Sequence, residues 1–368
     1  MRILHISADA LVGGAESFLI TLARNKALDP ISNHEFAFTA RGPALDAITL
    51  AGGAVHYLGS ASHRHVRNLL ATRRRLYELC AENKYDVAVF HQYPYLIAAL
   101  ADVLWRRKVK TVRFYHNETV PNSKFEWLVR HVYPSDAHRA VVNSKFLLQS
   151  IPGAKGTVVY CPVDRQIELT DVERKQIRAL LDTPFEEPLV VQVCRMEERK
   201  GHARLLRSLA VLKSLSWNCW IVGGPQKDKE VSYFARLKAL AVELGIGSRV
   251  RFLGLRTDVP KLLAAADIFC HPNIHPPEPF GIALVEALQA GLPVVTTAMG
   301  GALEIVSAQC GFLVPPEDDI ALTQALQSLL TNEDLRRRMS TSARTRGDLF
   351  TASVQIPLLN AALQAAAL

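Results

Sequence analysis

Short apolar runs alternate with longer amphipathic stretches along most of this chain. In the first half, Arg2–Ser7, Glu35–Thr39, Ala54–Leu58, Asp86–His91, Thr111–His116, Ala140–Asn143 and Thr157–Tyr160 read as strands. Most are apolar with few interruptions, as strands covered on both faces are. Between several of them lie stretches such as Ala15–Leu28 and Val66–Glu82, with apolar residues at helical spacing. The alternation predicts a mainly parallel, doubly wound α/β sheet. After Pro162-Val163-Asp164 the apolar pattern lapses, and a polar helix over Asp171–Leu181 leads to Pro184 and Pro188. The pattern then restarts. Leu189–Cys194, Cys219–Val222, Val250–Leu253, Ile268–His271, Val294–Thr297 and Gly311–Val314 read as strands, separated by helices over Ala203–Ser214, Glu230–Leu244, Val259–Ala265, Phe280–Gln289 and Ile320–Leu330. The tail from Asn332 to Leu368 reads as wholly helical, ending in a long helix that returns to the first domain.

The length of 368 residues suits two domains. With 49% hydrophobic and 21% charged residues the chain reads as a globular protein, and no apolar run reaches membrane-spanning length. The apolar N-terminus is too brief for a signal peptide. Six scattered cysteines without a C-x-x-C spacing point to buried thiols in a reducing cytoplasm. The net charge of +8 lies wholly in residues 1–165, which hold 21 Lys and Arg against 13 Asp and Glu, whereas the remainder holds 22 of each. The excess clusters at Arg64, Arg67, Arg73, Arg74 and Arg75, and again at Arg106, Arg107, Lys108 and Lys110. Solvated helix faces account for such runs. A surface for anionic lipid at the inner face of the cytoplasmic membrane, or for an anionic acceptor, is the sharper reading. The basic runs lack interleaved aromatics, which speaks against nucleic acid.

The chemistry gathers where strands end. Glu278-Pro279-Phe280-Gly281-Ile282 leads from a strand and loop into a helix carrying Glu286. Ligands bind at the carboxyl ends of strands in such sheets, and a helix N-terminus offers free N–H groups to an anion. Glu286 lies in an apolar run, where a carboxylate needs hydrogen-bond donors such as the paired hydroxyls of a ribose. Glu278 precedes proline, which biases it to an extended conformation. After the first strand of the second half, Arg195 and Lys200 can clamp a diphosphate, with Arg199 competing for the second place. Gly13-Gly14-Ala15-Glu16 opens the first helix without the spacing of a dinucleotide site, and Gly223-Gly224 and Gly300-Gly301 repeat glycine turns at strand ends. His116, at the end of its strand, can bond a sugar hydroxyl, although a lone histidine is more often structural. No D-x-D sequence is present to hold a metal-chelated diphosphate, and Arg195 and Lys200 can stand in for the ion.

Together these residues resemble the family 4 retaining glycosyltransferases. Glu278 and Glu286 match their E-x7-E motif, Arg195 and Lys200 their R-x4-K pair, Gly13 to Glu16 their G-G-x-E turn, and His116 their strand-end histidine. The resemblance covers nearly the whole chain and is strongest from Val191 to Pro315. It implies the GT-B fold: two Rossmann-like domains facing across a cleft, with a C-terminal helical tail. The first (1–165) would bind the acceptor and the second (189–348) the nucleotide sugar. Residues 166–188 would link them, and 349–368 would form the returning helix.

By the same resemblance Glu286 would hold the ribose and Glu278 the donor sugar. The backbone after Gly281 would lie near the phosphate and the segment Phe252-Leu253-Gly254-Leu255-Arg256 against the base, with Gly13, Gly14, Gly223, Pro279, Phe280 and Ile282 also at the donor. The implied activity is a retaining transfer that needs no cofactor and no metal. It would run from a nucleotide diphosphate sugar to a glycan, lipid-linked or small-molecule acceptor. The alternatives are a nucleotide-sugar 2-epimerase of the same fold and a catalytically silent nucleotide-sugar-binding protein.

Overall fold

A computed structural model describes residues 1–11, 13–60, 66–91, 94–117, 139–150 and 156–367. The chain divides into two units, Met1–Asp164 together with Phe350–Leu368, and Arg165–Leu349.

The first unit is built on a parallel sheet of seven strands: β1 (Arg2–Ser7), β2 (Asn33–Phe38), β3 (Ala54–Tyr57), β4 (Val87–His91), β5 (Lys110–Tyr115), β6 (Arg139–Val142) and β7 (Gly156–Val158). Their order is β3-β2-β1-β4-β5-β6-β7. The central strands are covered on both faces, which is why they are apolar almost throughout: Ile3, Leu4, Ile6 and the run Val87 to Phe90 are fully buried. The sheet order reverses between β1 and β4, the position at which such sheets open a crevice at their carboxyl edge.

The second unit carries six parallel strands: β8 (Leu189–Val193), β9 (Asn218–Val222), β10 (Val250–Gly254), β11 (Ile268–His271), β12 (Val294–Thr297) and β13 (Gly311–Val314). Their order is β10-β9-β8-β11-β12-β13, with the reversal between β8 and β11. One face of this sheet packs Leu205, Leu206 and Leu209 of the helix His202–Val211, and Leu322, Leu326 and Leu329 of the helix Asp319–Thr331, against strand residues such as Val190, Ile221 and Val295.

The stretch 166–188, expected as a connection, is counted within the second unit. Its helix Asp171–Leu180 opens with a capping box in which Thr170 and Glu173 satisfy each other's backbone N–H groups. The helix is tied down by a buried cation rather than an apolar stripe. Arg178, 1% exposed, donates to the carbonyls of Ala265, Phe185 and Glu187 and pairs with Asp267 Oδ2 at 2.7 Å.

The tail is two helices, Glu333–Asp348 and Ala352–Ala367. The break lets Thr351 form a bridge with Val163, with Val163 N donating to Phe350 O and Ala352 N to Val163 O, each at 3.0 Å. Glu333–Asp348 packs on the helix Ile282–Gln289 within the second unit. Ala352–Ala367 packs on β5 and on the helix Gly14–Arg24 within the first, burying Ile356, Leu359 and Leu363. Among the described residues, no helix is long and apolar enough to cross a membrane.

Candidate functional site

The reversal between β8 and β11 brings the charged site residues of the second unit together. β8 ends in a loop whose single 3-10 turn, Glu198–Lys200, meets the helix His202–Val211 at Gly201. Gly201 takes a left-handed φ of +74°, and a Cβ there would stand 1.9 Å from the carbonyl of Pro272 on the loop after β11. Only glycine lets these two loops approach so closely. The turn sends Lys200 inward, 5% exposed, with Nζ 2.8 Å from Glu278 Oε1. The carbonyl of Lys200 accepts from the buried Gln192 amide at 2.7 Å, which fixes the turn from below. Arg199 faces the other way, its Nε donating to Glu197 Oε2, while Arg195 bonds Glu197 Oε1 at 2.8 Å. Of the two neighbouring cations, Lys200 is therefore the one that reaches Glu278.

Glu278 is gripped from two sides. His271, the last residue of β11, lies with Nε2 3.2 Å from Glu278 Oε2. Burial pushes the Glu278 carboxyl up, but the Lys200 ammonium and the His271 contact outweigh it and hold the group well below the usual carboxylate range. Burial lowers His271, against the pull of Glu278, so the imidazole is neutral at pH 7 and can donate from Nε2. The arrangement is an ionised acceptor backed by one fixed cation.

Downstream of Glu278, Pro279 is half-buried and Phe280 buried, and Gly281 (φ +113°) starts the helix Ile282–Gln289. That helix begins without a side-chain cap, and of its first N–H groups that of Leu284 bonds the Gly281 carbonyl at 3.0 Å. Ile282 and Glu286 are half-buried on it, one turn apart, beside the buried Leu284, Val285, Ala287 and Leu288. The Gly300-Gly301 turn closes on the same loop, Gly301 N donating to Glu278 O at 2.9 Å. At the next strand ends, Gly223 N donates to Gly254 O at 2.9 Å, Leu255 is 62% exposed, and Arg256 forms a two-pronged pair with Asp258.

Two models for known families match in tandem: Glycosyltransferase Family 4 over residues 12–167 and Glycosyl transferases group 1 over residues 173–346. The chain belongs to the family 4 glycosyltransferases. Its alignment with the lipopolysaccharide glucosyltransferase WaaG of Escherichia coli is 38% identical over 167 residues, 44% of this chain and 42% of that protein. The chain thus spans less than half the length of the first curated relatives it matches. Among solved structures, a glycosyltransferase from Rickettsia africae superposes with a TM-score of 0.87 at 21% identity, over 99% of this chain and 97% of that one. Anabaena Alr3699/HepE in complex with UDP-glucose superposes with a TM-score of 0.84 at 22% identity, over 99% of both chains. At such identities the likeness shows the fold, which is GT-B.

In this family 4 chain, Gly13, Gly14 and His116 belong to the first unit. Gly13 is the extended N-cap of the helix Gly14–Arg24, at the end of the loop after β1. His116 follows β5 and is 5% exposed, and burial lowers its pKa to about 3. It is not alone: its Nε2 lies 2.8 Å from Nδ1 of His91, the end residue of β4. The basic run of the first unit is partly spoken for. Arg73 pairs with Asp102, Arg74 with Glu78, and Arg75 donates to the Leu58 carbonyl.

Sequence reasoning missed His271, Glu197, Gln192 and His91. Gln192 carried a readable signal, a polar residue in an otherwise apolar strand, and buried polar groups need partners. His271 is the last residue of the strand that leads into the Glu278 loop.

Proposed function

We propose that this chain moves a sugar from a nucleotide diphosphate sugar to an acceptor hydroxyl, with retention at the anomeric carbon and without a metal ion. The observation that carries the reading is the Lys200–Glu278–His271 cluster at the strand-order reversal of the second sheet, beside a glycine-started helix. Backbone N–H groups at the start of Ile282–Gln289 suit a phosphate. Lys200 has three N–H donors, so it can keep Glu278 and still meet a phosphate oxygen. Arg195, tethered by Glu197, adds a second cation as charge develops on the leaving diphosphate. Glu278, held ionised, accepts from hydroxyls of the donor sugar, and Glu286 from those of the ribose. As the bond from the anomeric carbon to the phosphate oxygen breaks, the acceptor oxygen bonds that carbon from the same face. Its proton passes to the leaving phosphate oxygen. The acceptor is proposed to be a cell-surface glycan, a lipid-linked sugar or a small metabolite, met on the cytoplasmic side. A relative named for lipopolysaccharide glucosyl transfer and a fold neighbour solved with UDP-glucose support the donor class.

The test is a thermal-shift panel of UDP, GDP, ADP and TDP sugars with and without EDTA, followed by transfer assays read by NMR at the anomeric centre. One donor should raise the melting temperature by mass action. The shift should survive EDTA and disappear in Glu286→Ala, and the product should keep the donor's anomeric configuration. A shift lost in EDTA refutes the metal-free reading. An isomer formed from donor alone makes the chain an epimerase, and binding without transfer to any acceptor makes it a binding protein.

A further inference from the structure

Four histidines of the first unit form one continuous chain. Nε2 of His116 meets Nδ1 of His91 at 2.8 Å, Nε2 of His91 meets Nδ1 of His5 at 2.9 Å, and Nε2 of His5 meets Nδ1 of His34 at 2.8 Å. Nε2 of His34 faces Asp29 Oδ2 at 3.7 Å. The sheet register produces the alignment. His34 pairs with Ile3 and His5 lies two residues on, His5 pairs with Val89 and His91 lies two residues on, and His91 pairs with Phe114 and His116 lies two residues on. Alternate residues share a face, so the rings climb diagonally across four strands towards the carboxyl edge. Phe18, Phe36 and Phe114 pack around them.

Every link uses the same pair of atoms, so the chain has a direction. A neutral imidazole has one N–H and one bare nitrogen. If one ring is fixed, each hydrogen bond fixes the next. Asp29 biases the first through its charge. Its Oδ1 accepts from the N–H groups of Ile31 and Ser32, and these bonds help to hold it ionised against burial. The Ser32 hydroxyl also faces the carboxylate, and its Oδ2, buried, can only accept. The Asn360 amide, which also faces His34, can donate or accept and imposes no direction. A bare Nε2 would set its lone pair against the Asp29 carboxylate 3.7 Å away, so the charge of Asp29 favours the proton on Nε2 of His34. His5, His91 and His116 follow, and Nδ1 of His116, buried and unpartnered among the described residues, is left bare. Burial lowers the pKa of each of the four, which keeps the rings neutral.

We infer that Asp29, acting through the positioning residues His34, His5 and His91, locks His116 as the Nε2–H tautomer. The lock presents Nδ1 of His116 at the strand end as a hydrogen-bond acceptor, matched to a ligand hydroxyl and mismatched to an anionic oxygen. That the hydroxyl belongs to a sugar rests on the transferase reading above. The direction of the chain does not.

The full chain labelled with ¹⁵N-histidine, read by long-range ¹H–¹⁵N correlation at neutral pH, tests it without any activity assay. Wild type should show all four rings as neutral Nε2–H tautomers. Asp29→Asn should reverse them. The Asn oxygen can keep the bonds to Ile31 and Ser32, which turns the amide NH2 towards His34. His34 Nε2 must then accept, and all four rings become Nδ1–H. A wild-type Nδ1–H or imidazolium form at any of the four overturns the inference, as does an Asp29→Asn protein that keeps all four protons on Nε2. Wild type alone decides the first point if the variant does not fold. Correct tautomers in a protein that transfers no sugar would overturn the transferase reading and leave the chain's direction standing.

Discussion

Replacing Lys200 by methionine removes the one cation that touches Glu278 among the described contacts, and its cost can be worked from the geometry. Lys200 is 5% exposed, its Nζ is 2.8 Å from Glu278 Oε1, and the Glu278 side chain is 28% exposed. At that separation two unit charges attract by about 6 kcal/mol at an effective dielectric near 20. Desolvation of the two ions cancels much of this, and the exposed edge of Glu278 admits screening by water. Loss of one partner from a fully buried pair costs about 3–5 kcal/mol, so about 2–3 kcal/mol is expected here. For a unit of this size that corresponds to a fall in melting temperature of about 4–12 °C.

The pH dependence supplies the sign. The folded-state pKa of Glu278 is depressed. Its ionised form therefore stabilises the fold above the usual carboxylate pKa, and that contribution is lost as pH falls through the folded value. In Lys200→Met no cation offsets the burial of the carboxyl, so it titrates higher and protonation relieves the cost of a lone charge. The deficit against wild type should be largest at neutral pH and should shrink in the acid range. Lys200→Met/Glu278→Gln should recover most of the loss. Differential scanning calorimetry of the three proteins decides the matter. A Lys200→Met protein that melts with wild type at neutral pH, or a double variant weaker than Lys200→Met, would refute the coupling.

Two further outcomes follow from close contacts in the second unit. Arg178→Met strips three carbonyls and Asp267 of their buried donor, and should cost about 3–5 kcal/mol by urea denaturation, more than any change at the exposed Arg74–Glu78 pair. Gly201→Ala sets a methyl against the Pro272 carbonyl at a left-handed φ, and should lower the melting temperature and weaken the nucleotide-sugar shift together, since the displaced loop leads to Glu278. A Gly201→Ala protein that loses stability but binds donor as wild type does would show that the loop does not set the site.

What the sequence revealed and what it hid divide along one physical line. The central strands, covered on both faces, are apolar almost throughout, and all thirteen strands were visible as runs, with edges off by a residue or two. Sheet order was not visible, because apolar runs do not say which neighbour they pair with. What anchors the helix after Asp164 was hidden for a related reason. The helix is held by Arg178 through hydrogen bonds, and a hydrophobic pattern does not register a buried guanidinium. At the site, Arg199 and Lys200 were equivalent on paper. One 3-10 turn closed by Gly201 separates them, sending one to Glu197 and the other to Glu278. The histidine chain is the extreme case. His5, His34, His91 and His116 stand far apart in sequence, each in a different strand or strand end, and a lone histidine is more often structural. Only the register of four parallel strands lines them up. Polar groups that act together across a parallel sheet are therefore hidden from any reading made one segment at a time. In this chain both clusters argued to matter, around Glu278 and behind His116, are of that kind.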